Sequence, residues 1–243
     1  MIDPQQVINF VNENIDSFHQ NRLKILEKVN LATVLKRKNP YLFKAKGIET
    51  AHQLIRSMLD AQLSSSEEKL FGDFLEHLAI FICGLTYNGQ KSSAKGIDLE
   101  FEKDNVWQIV SIKSGPNWGN SSQYRALERD FRDAVRIQRQ MRGNVQPVLG
   151  ICYGNTKTTD NGLYIKVTGQ SFWEFISDDP QLYIKIIDPI GYEVKAHHEE
   201  FEEKRNLLEE KLAARFMADF CFPDGRIDWT KLVSFNSENL PHA

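Results

Sequence analysis

Residues 96–113, GIDLEFEKDNVWQIVSIK, decide the fold, because hydrophobic and polar residues alternate there with a period of two. Such alternation is typical of β-strands that bury one face. It predicts one strand at GIDLEFE (96–102) and a second at VWQIVSIK (106–113), joined by a short Lys-Asp-Asn turn. Asp and Asn tolerate the positive φ angles of two-residue hairpin turns. An antiparallel hairpin is therefore expected.

The hairpin gathers three polar side chains on one face, at the end away from the turn. If Asp104 and Asn105 form the loop, Asp98 lies opposite Ser111, and Lys113 is the diagonal neighbour of Asp98. The structural alternative is an exposed salt bridge between Asp98 and Lys113, since cross-strand pairs of this kind are common.

A carboxylate upstream of the hairpin belongs to a helix predicted at about 66–81. Ser65 and Glu68 have capping-box spacing at its start. Glu76 lies at the edge of the apolar face of this helix. We therefore expect its carboxylate to be partly buried, which is costly unless it is paired or binds a cation.

An Asp beside a Lys and a hydroxyl, near a second carboxylate, suits metal-assisted hydrolysis of a phosphodiester. Hard oxygen ligands bind Mg²⁺, which lowers the pKa of a bound water. A lysine can orient that water and stabilise developing charge. The hairpin thus offers Asp98, Ser111 and Lys113 as candidate catalytic residues, with Asp98 as a candidate metal ligand.

The hydrophobic pattern predicts further elements along the chain, namely helices at about 4–36, 121–142, 171–176 and 180–220, and strands at 147–154 and 162–167. Helices, mixed strands and helices in this order argue for an α/β (α+β) fold with a central mixed sheet flanked by helices. We expect one catalytic domain over residues 1–243. It would comprise a helical, basic N-terminal part (1–60), a catalytic core (61–170) and a helical C-terminal part (171–243).

Composition narrows the class of protein. With 33 acidic and 30 basic residues the net charge is -3, which excludes a uniformly basic coat for nucleic acid but allows a local basic face. Three scattered cysteines form neither a disulfide framework nor a zinc knuckle, as expected in a reducing cytoplasm. The start of the chain shows no secretory signal, and the longest apolar stretch, 78–85, is too short to span a bilayer. We expect a cytoplasmic protein without membrane contact.

Three motifs together resemble type II restriction endonucleases of the PD-(D/E)XK superfamily. They are GID (96–98), SIKSGPNWGNSSQ (111–123) and EEKLFGDFLEHLAIFI (67–82), and the resemblance covers about residues 38–155. The superfamily pattern places an Asp on one strand and an acid-x-Lys on the next. Asp98 matches the first acid and Lys113 matches the lysine.

The sequence departs from this pattern at two positions. Ile97 stands where proline is usual, and Ser111 stands where the second acid is usual. Some restriction enzymes of the superfamily use a Ser-x-Lys variant and take the missing acid from the preceding helix, which here implies Glu76 as a catalytic residue and metal ligand beside Asp98. Glu100 is the competing metal ligand, but it lies two residues, about 7 Å, further along the strand. We prefer Glu76.

The helix predicted after the hairpin carries arginines along one stripe, spaced by four, three, four and three residues: Arg125, Arg129, Arg132, Arg136 and Arg139. Such a stripe suits contacts to a DNA backbone, most of all at Arg125 and Arg129 near the helix start. Ion pairs within the helix, such as Glu128 with Arg132, are the alternative.

The loop before this helix is rich in hydrogen-bonding groups. We expect it to position the scissile phosphate through Ser114, Asn117, Trp118, Asn120, Ser122 and Gln123. Alternatively its Asn side chains cap the helix while the tryptophan packs inside.

A second basic region lies between Arg22 and Lys46, where eight basic residues face one acid, Glu27. It includes the segment KRKNPYLFKAKG (36–47), expected to be a loop. The cluster is interpreted as an anion-facing surface, with Lys38, Asn39, Lys44 and Lys46 as candidate DNA contacts.

The resemblance implies a Mg²⁺-dependent type II restriction endonuclease that cuts double-stranded DNA at a short palindromic site and leaves 5′-phosphates. A palindromic site implies a homodimer, and self-protection implies a cognate DNA methyltransferase. Three alternatives stay open: a structure-specific repair or junction nuclease of the same fold, a DNA-binding protein without catalysis, and an α/β protein whose Asp98–Lys113 pair is structural.

Overall fold

The computed structural model describes residues 2–191 and 194–238. Within these ranges the chain forms ten helices: α1 (Pro4–Lys28), α2 (Leu31–Arg37), α3 (Pro40–Ala45), α4 (Ala51–Tyr87), α5 (Ser121–Arg142), α6 (Gln170–Ser177), α7 (Leu182–Lys185), α8 (Ile187–Ile190), α9 (Val194–Phe220) and α10 (Trp229–Ser237). The strands in the same ranges are β1 (Gln90–Lys91), β2 (Leu99–Lys103), β3 (Val106–Lys113), β4 (Val145–Ile151), β5 (Thr159–Asp160) and β6 (Ile165–Thr168). The architecture is the expected α/β class with a mixed sheet flanked by helices.

The chain divides into two compact units. The first contains residues 2–18 and 71–191, and the second contains residues 19–70 and 194–238. The long helices α1 and α4 each contribute to both units. The division into two compact units does not test whether the chain functions as one catalytic domain, so that expectation stays a prediction.

The first unit contains the sheet, in the order β1-β2-β3-β4-β6-β5. Strands β2 and β3 form an antiparallel hairpin in which Leu99 pairs with Val110, the register expected from the sequence. The turn residues Asp104 and Asn105 have φ angles of 53° and 59°, as a two-residue hairpin turn requires. Strands β3, β4 and β6 run parallel, so their carboxyl ends meet at one edge of the sheet.

Helices cover both faces of this sheet. On one face Leu99 and Val110 pack with α1, α4 and α6, and on the other Ile109 packs with Phe131 of α5. Simple alternation from Leu99 would put Ile97 on the face of α1 and α4, but Ile97 packs on the α5 side. The alternation of a strand does not apply to Ile97, because β2 begins only at Leu99 and Ile97 follows a turn.

Several predicted boundaries were wrong in the helical parts. Helix α4 has 37 residues instead of the expected 66–81, and Ser65 lies inside it, where its hydroxyl donates to the carbonyl of Ala61. The proposed capping box is therefore absent. Asn30 caps α2 and separates it from α1, and the expected loop at 36–47 contains α3. Residues 192 and 193 of the predicted helical segment 180–220 lie outside the described residues.

The second unit is helical and has its own core. Leu54, Met58 and Leu59 of α4 pack with Phe216 of α9, and the buried carboxylate of Glu209 pairs with Arg56. By length and composition alone, α4 could cross a membrane. Core helices of soluble proteins can have the same length and composition.

Candidate active site

Asp98 lies directly before β2, and one of its carboxylate oxygens is held in place. Its backbone N–H donates to the carbonyl of Val110 at 2.8 Å, which extends the hairpin ladder. Its Oδ2 accepts from the backbone N–H of Ile112 at 2.6 Å and from the hydroxyl of Ser111 at 3.4 Å. Among the described residues nothing polar engages Oδ1. The carboxylate is thus oriented by one oxygen and leaves the other for a ligand.

Lys113 is the last residue of β3 and stands beside this carboxylate. Its Nζ lies 3.6 Å from Asp98 Oδ2 and donates to the carbonyl of Ile112 at 2.8 Å. The ammonium also lies 5.7 Å from the ring centre of Trp118. The lysine and aspartate side chains are 30% and 22% exposed. The pair is therefore sheltered but open to a ligand.

Ser111 is buried, with 1% of its surface exposed. Its hydroxyl reaches Asp98 but not the solvent, so its contribution to the geometry is to hold Asp98. The hairpin thus brings together Asp98, Ser111 and Lys113 in the predicted arrangement.

Glu76 lies on α4 and is 25% exposed, in agreement with the partly buried position expected from the helix pattern. Its Oε1 lies 3.4 Å from the Nζ of Lys91 in β1. One helical turn earlier, Gly72 brings α4 close to the end of β3, since a Cβ built there would lie 3.4 Å from the Cβ of Ser114. Both neighbours place Glu76 beside the end of the hairpin that carries Asp98.

The buried thiol of Cys152 lies close enough to three charged groups of the site for each of them to affect its pKa. The pKa of this thiol is raised to about 12, mainly by burial and then by the negative charge of Glu76; Lys113 lowers the pKa and Asp98 raises it. All three charges therefore act on the same buried atom, which follows the end of β4.

Glu100 has a different environment from Glu76. It is 7% exposed, its Oε1 accepts a hydrogen bond from Ser92, and its Oε2 accepts one from Gln138 at 3.1 Å. Both oxygens are therefore already occupied within the fold.

The loop after β3 uses much of its polar character to start α5. Asn120 accepts from the backbone N–H of Ser122 and of Gln123, and the Gln123 side chain accepts from the Asn120 N–H at 2.9 Å, which completes a capping box. Trp118 packs against Tyr124. Asn117 stays exposed. Contacts of these residues to DNA stay predictions.

The arginine stripe of α5 is exposed and partly neutralised. Three arginines lie near acidic neighbours: Arg129 near Asp130, Arg132 near Glu128, and Arg136 near Asp133. Arg125 forms no ion pair with any described residue. Arg125 is the arginine of the stripe nearest the helix start, and no acid compensates its charge among the described residues.

The other candidate DNA contacts lie in the second unit. Lys38 ends α2, and Asn39 caps α3 by accepting from the backbone N–H of Leu42. Lys44 and Lys46 are exposed.

The structure adds two neighbours of the site that sequence reasoning missed. Lys91 neutralises Glu76 from a two-residue strand too short to show a periodic pattern. Tyr153 is exposed and lies on Gly115, where an added Cβ would come within 2.4 Å of its ring. A glycine two residues after Lys113 was the available signal for such a close approach.

The donor set fits a hard divalent cation. Asp98 and Glu76 each offer carboxylate oxygens, and Mg²⁺ is commonly bound by one or two carboxylates completed by water and substrate phosphates. No cluster of three or more His, Cys, Asp or Glu side chains suited to a metal occurs among the described residues. A cation here would therefore rely on two carboxylates of this chain.

A mixed sheet flanked by helices, with an aspartate and a lysine at the open end of its hairpin, defines a restriction-endonuclease-like fold. The family model of the type II restriction endonuclease EcoO109I matches residues 5–198, which is most of the chain. The chain belongs to this family of type II restriction endonucleases, whose members generally use a divalent metal. No curated protein matches its sequence closely enough to count as a relative.

Proposed function

We propose that this chain is a Mg²⁺-dependent PD-(D/E)XK nuclease of the Ser-x-Lys variant, in which Glu76 replaces the missing second acid. The observation that carries the proposal is the state of Asp98. Its Oδ2 is fixed by Ile112 and Ser111, while its Oδ1 has no polar partner among the described residues. Glu76 supports the proposal because its surroundings leave it partly exposed, unlike Glu100.

Each residue has a defined task in this proposal. Asp98 and Glu76 hold the cation, which when bound polarises the scissile phosphate and lowers the pKa of a water. Lys113 has three N–H donors, of which Ile112 occupies one. Its remaining donors orient the attacking water and stabilise the charge that develops on the phosphate oxygens. Ser111 positions Asp98.

The substrate is double-stranded DNA with a short palindromic site, cut to leave 5′-phosphates. One such site cuts one strand, so a symmetric homodimer cuts both. A cognate DNA methyltransferase would protect the host, and the protein would act in the cytoplasm.

Digestion of a long unmethylated DNA, with and without Mg²⁺, tests this function. We expect discrete bands that need Mg²⁺ and that vanish in Asp98→Ala and in Lys113→Ala. The fragment ends then give the site. A Mg²⁺-dependent smear or junction cutting would support a repair-type nuclease instead, and salt-sensitive binding without cleavage would support a DNA-binding protein.

A further inference from the structure

The basic corner is the segment Lys36–Lys46 of the second unit, formed by the end of α2, the turn at Lys38 and Asn39, and α3. Its sequence, KRKNPYLFKAK, has five cationic and no acidic residues. Pro40 and Phe43 point into the core of the unit, where Phe43 joins Leu35 of α2. The inward side of the corner is therefore fixed by packing.

The outward side of the corner carries charge that the fold does not neutralise. Elsewhere in the same unit several cations are matched with acids, for example Arg56 with Glu209 at 3.1 Å and Arg205 with Asp60 at 2.6 Å. Within the part of the chain that the structure describes, none of the five corner cations forms an ion pair. The unit thus has acids to pair with, yet its corner remains positively charged.

Aromatic rings lie beside three of these cations. The Nζ of Lys36 lies 5.5 Å from the ring centre of Phe235, and that of Lys44 lies 5.2 Å from the ring centre of Trp229. The Nζ of Lys46 lies 5.7 Å from the ring centre of Phe43. Contacts of this kind hold a lysine near a surface without cancelling its charge. The positive charge is held at the corner and stays available to a partner.

Two large apolar side chains stand among these charges. Tyr41 is 62% exposed and Leu42 is 50% exposed, side by side at the start of α3. Exposed apolar pairs occur elsewhere on the chain, as at Tyr183 and Ile184, but this pair stands among cations that have no ion pair within the described residues. A DNA groove suits that combination, because its walls are phosphates and its floor presents base edges and thymine methyl groups.

We infer that the basic corner is a DNA-docking surface with two separate tasks. Lys36, Arg37, Lys44 and Lys46 contact phosphates, whereas Tyr41 and Leu42 contact bases and contribute to site selection. The charge of the corner is complementary to DNA. The inference rests on the proposed function for its substrate, and it assigns recognition to residues outside the catalytic hairpin.

Binding measurements separate the two tasks. Fluorescence anisotropy without divalent metal is recorded over a range of salt, with one duplex that contains the mapped cleavage site and one that is scrambled. Lys44→Gln/Lys46→Gln should weaken binding to both duplexes alike and reduce the slope of log K against log salt by about two per protomer, hence about four for the homodimer. Tyr41→Ala/Leu42→Ala should weaken binding to the site duplex about tenfold or more, spare the scrambled duplex and leave the slope unchanged.

Matched controls have the same chemistry elsewhere. Lys69→Gln/Lys211→Gln removes two exposed lysines of the same unit, and Tyr183→Ala/Ile184→Ala removes an exposed tyrosine–aliphatic pair of the first unit. The inference is overturned if the corner lysine variant behaves like its control. It is also overturned if the Tyr41/Leu42 variant binds both duplexes like wild type or weakens both equally. Thermal unfolding of each variant confirms that the fold is retained.

Failure of the proposed function gives a different result. If the wild-type protein cuts no DNA but Lys44→Gln/Lys46→Gln weakens its salt-dependent binding, the docking surface is supported and the nuclease function is contradicted. If the wild-type protein cuts specifically and neither corner variant changes binding, the nuclease function is supported and the docking surface is contradicted.

Discussion

The two ends of the β2–β3 hairpin each carry a lysine–aspartate pair, and the pairs are built differently. At the turn end, Lys103 donates to Asp178 at 2.8 Å and to the carbonyl of Phe175 at 2.9 Å. At the open end, Lys113 and Asp98 are 3.6 Å apart, and Asp98 Oδ1 has no polar partner among the described residues. The first pair is satisfied by the fold, whereas the second retains capacity for a ligand.

This difference shows how a structural ion pair can be distinguished from a candidate catalytic ion pair. Both pairs join a strand residue to a nearby acid, and composition does not separate them. What separates them is how many of their hydrogen-bonding sites the protein already uses. Experiments that exchange or break the two pairs therefore test the assignment directly.

The largest expected effect comes from Lys→Met at the two ends of the hairpin. Lys113→Met should lower the cleavage rate about a thousandfold, because several kcal/mol of charge stabilisation are lost. Lys103→Met should leave cleavage nearly unchanged and lower the free energy of unfolding by about 1–3 kcal/mol, since the Phe175 carbonyl loses its donor. Single-turnover cleavage and urea unfolding measure the two quantities. Equal losses of activity in both variants would contradict the distinction.

The next effect compares the two glutamates that compete for the metal. Glu76→Gln should lower cleavage about a hundredfold and raise the Mg²⁺ concentration needed for half-maximal rate, because a ligand loses its charge. Glu100→Gln should keep the Mg²⁺ dependence and reduce mainly stability, since its oxygens bind Ser92 and Gln138. A Mg²⁺ titration of each variant provides the measurement. The reverse result would assign the second acid to Glu100.

A smaller effect is expected at the loop after the open end. Gly115→Ala places a methyl group where the Tyr153 ring lies, so the ring or the loop must move. We expect the cleavage rate to fall about tenfold. This corresponds to about 1.4 kcal/mol in the activation free energy, which is within the usual cost of modest overpacking. Addition of Tyr153→Ala should recover part of the loss if the clash is its cause. An equally defective double variant would show that Gly115 acts in another way.

The smallest effect is a pH dependence at the turn end. The hydrogen bond from Lys103 lowers the pKa of Asp178 below its ordinary value. A depressed folded-state pKa stabilises the protein above the unfolded pKa of about 3.9, and this contribution is lost as pH falls through the folded value. The side chain is 62% exposed, so the contribution should stay below about 1 kcal/mol.

Asp178→Asn isolates this contribution, because Asn tolerates the left-handed φ of 56° found there. Between pH 6 and pH 3 the wild type should lose more unfolding free energy than the variant, as measured in urea. Parallel losses in both proteins would place the acid-sensitive group elsewhere.

Local patterns predicted the hairpin well. Alternation and the Asp-Asn turn determine its register, and the register alone places Asp98 opposite Ser111. Helix α5 was also predicted with its observed bounds, because Asn120 and Gln123 cap it with neighbours in sequence. In both cases the interacting residues are close along the chain.

The wrongly predicted segments do carry local helix signals. In residues 51–65 of α4, Leu54, Met58 and Leu59 recur at helical spacing, and they pack with distant Phe216. The segment 36–47 was expected to be a loop because of its lysines and proline, yet Asn39 caps α3 and Pro40 lies in its first turn, where proline is common. What no local pattern gives is the distant partner of each buried face, such as Phe216.

Side-chain alternation and turn chemistry are local, so the hairpin, its register and the shared face of Asp98, Ser111 and Lys113 could be predicted from the sequence. The exposure and hydrogen bonding of the two glutamates could not, because they depend on tertiary packing. Gly72 brings α4 and Glu76 to the end of β3, and Gln138 of α5 takes an oxygen of Glu100. Such contacts join elements far apart in sequence, and they depend on how helices pack onto the sheet, which no local pattern encodes.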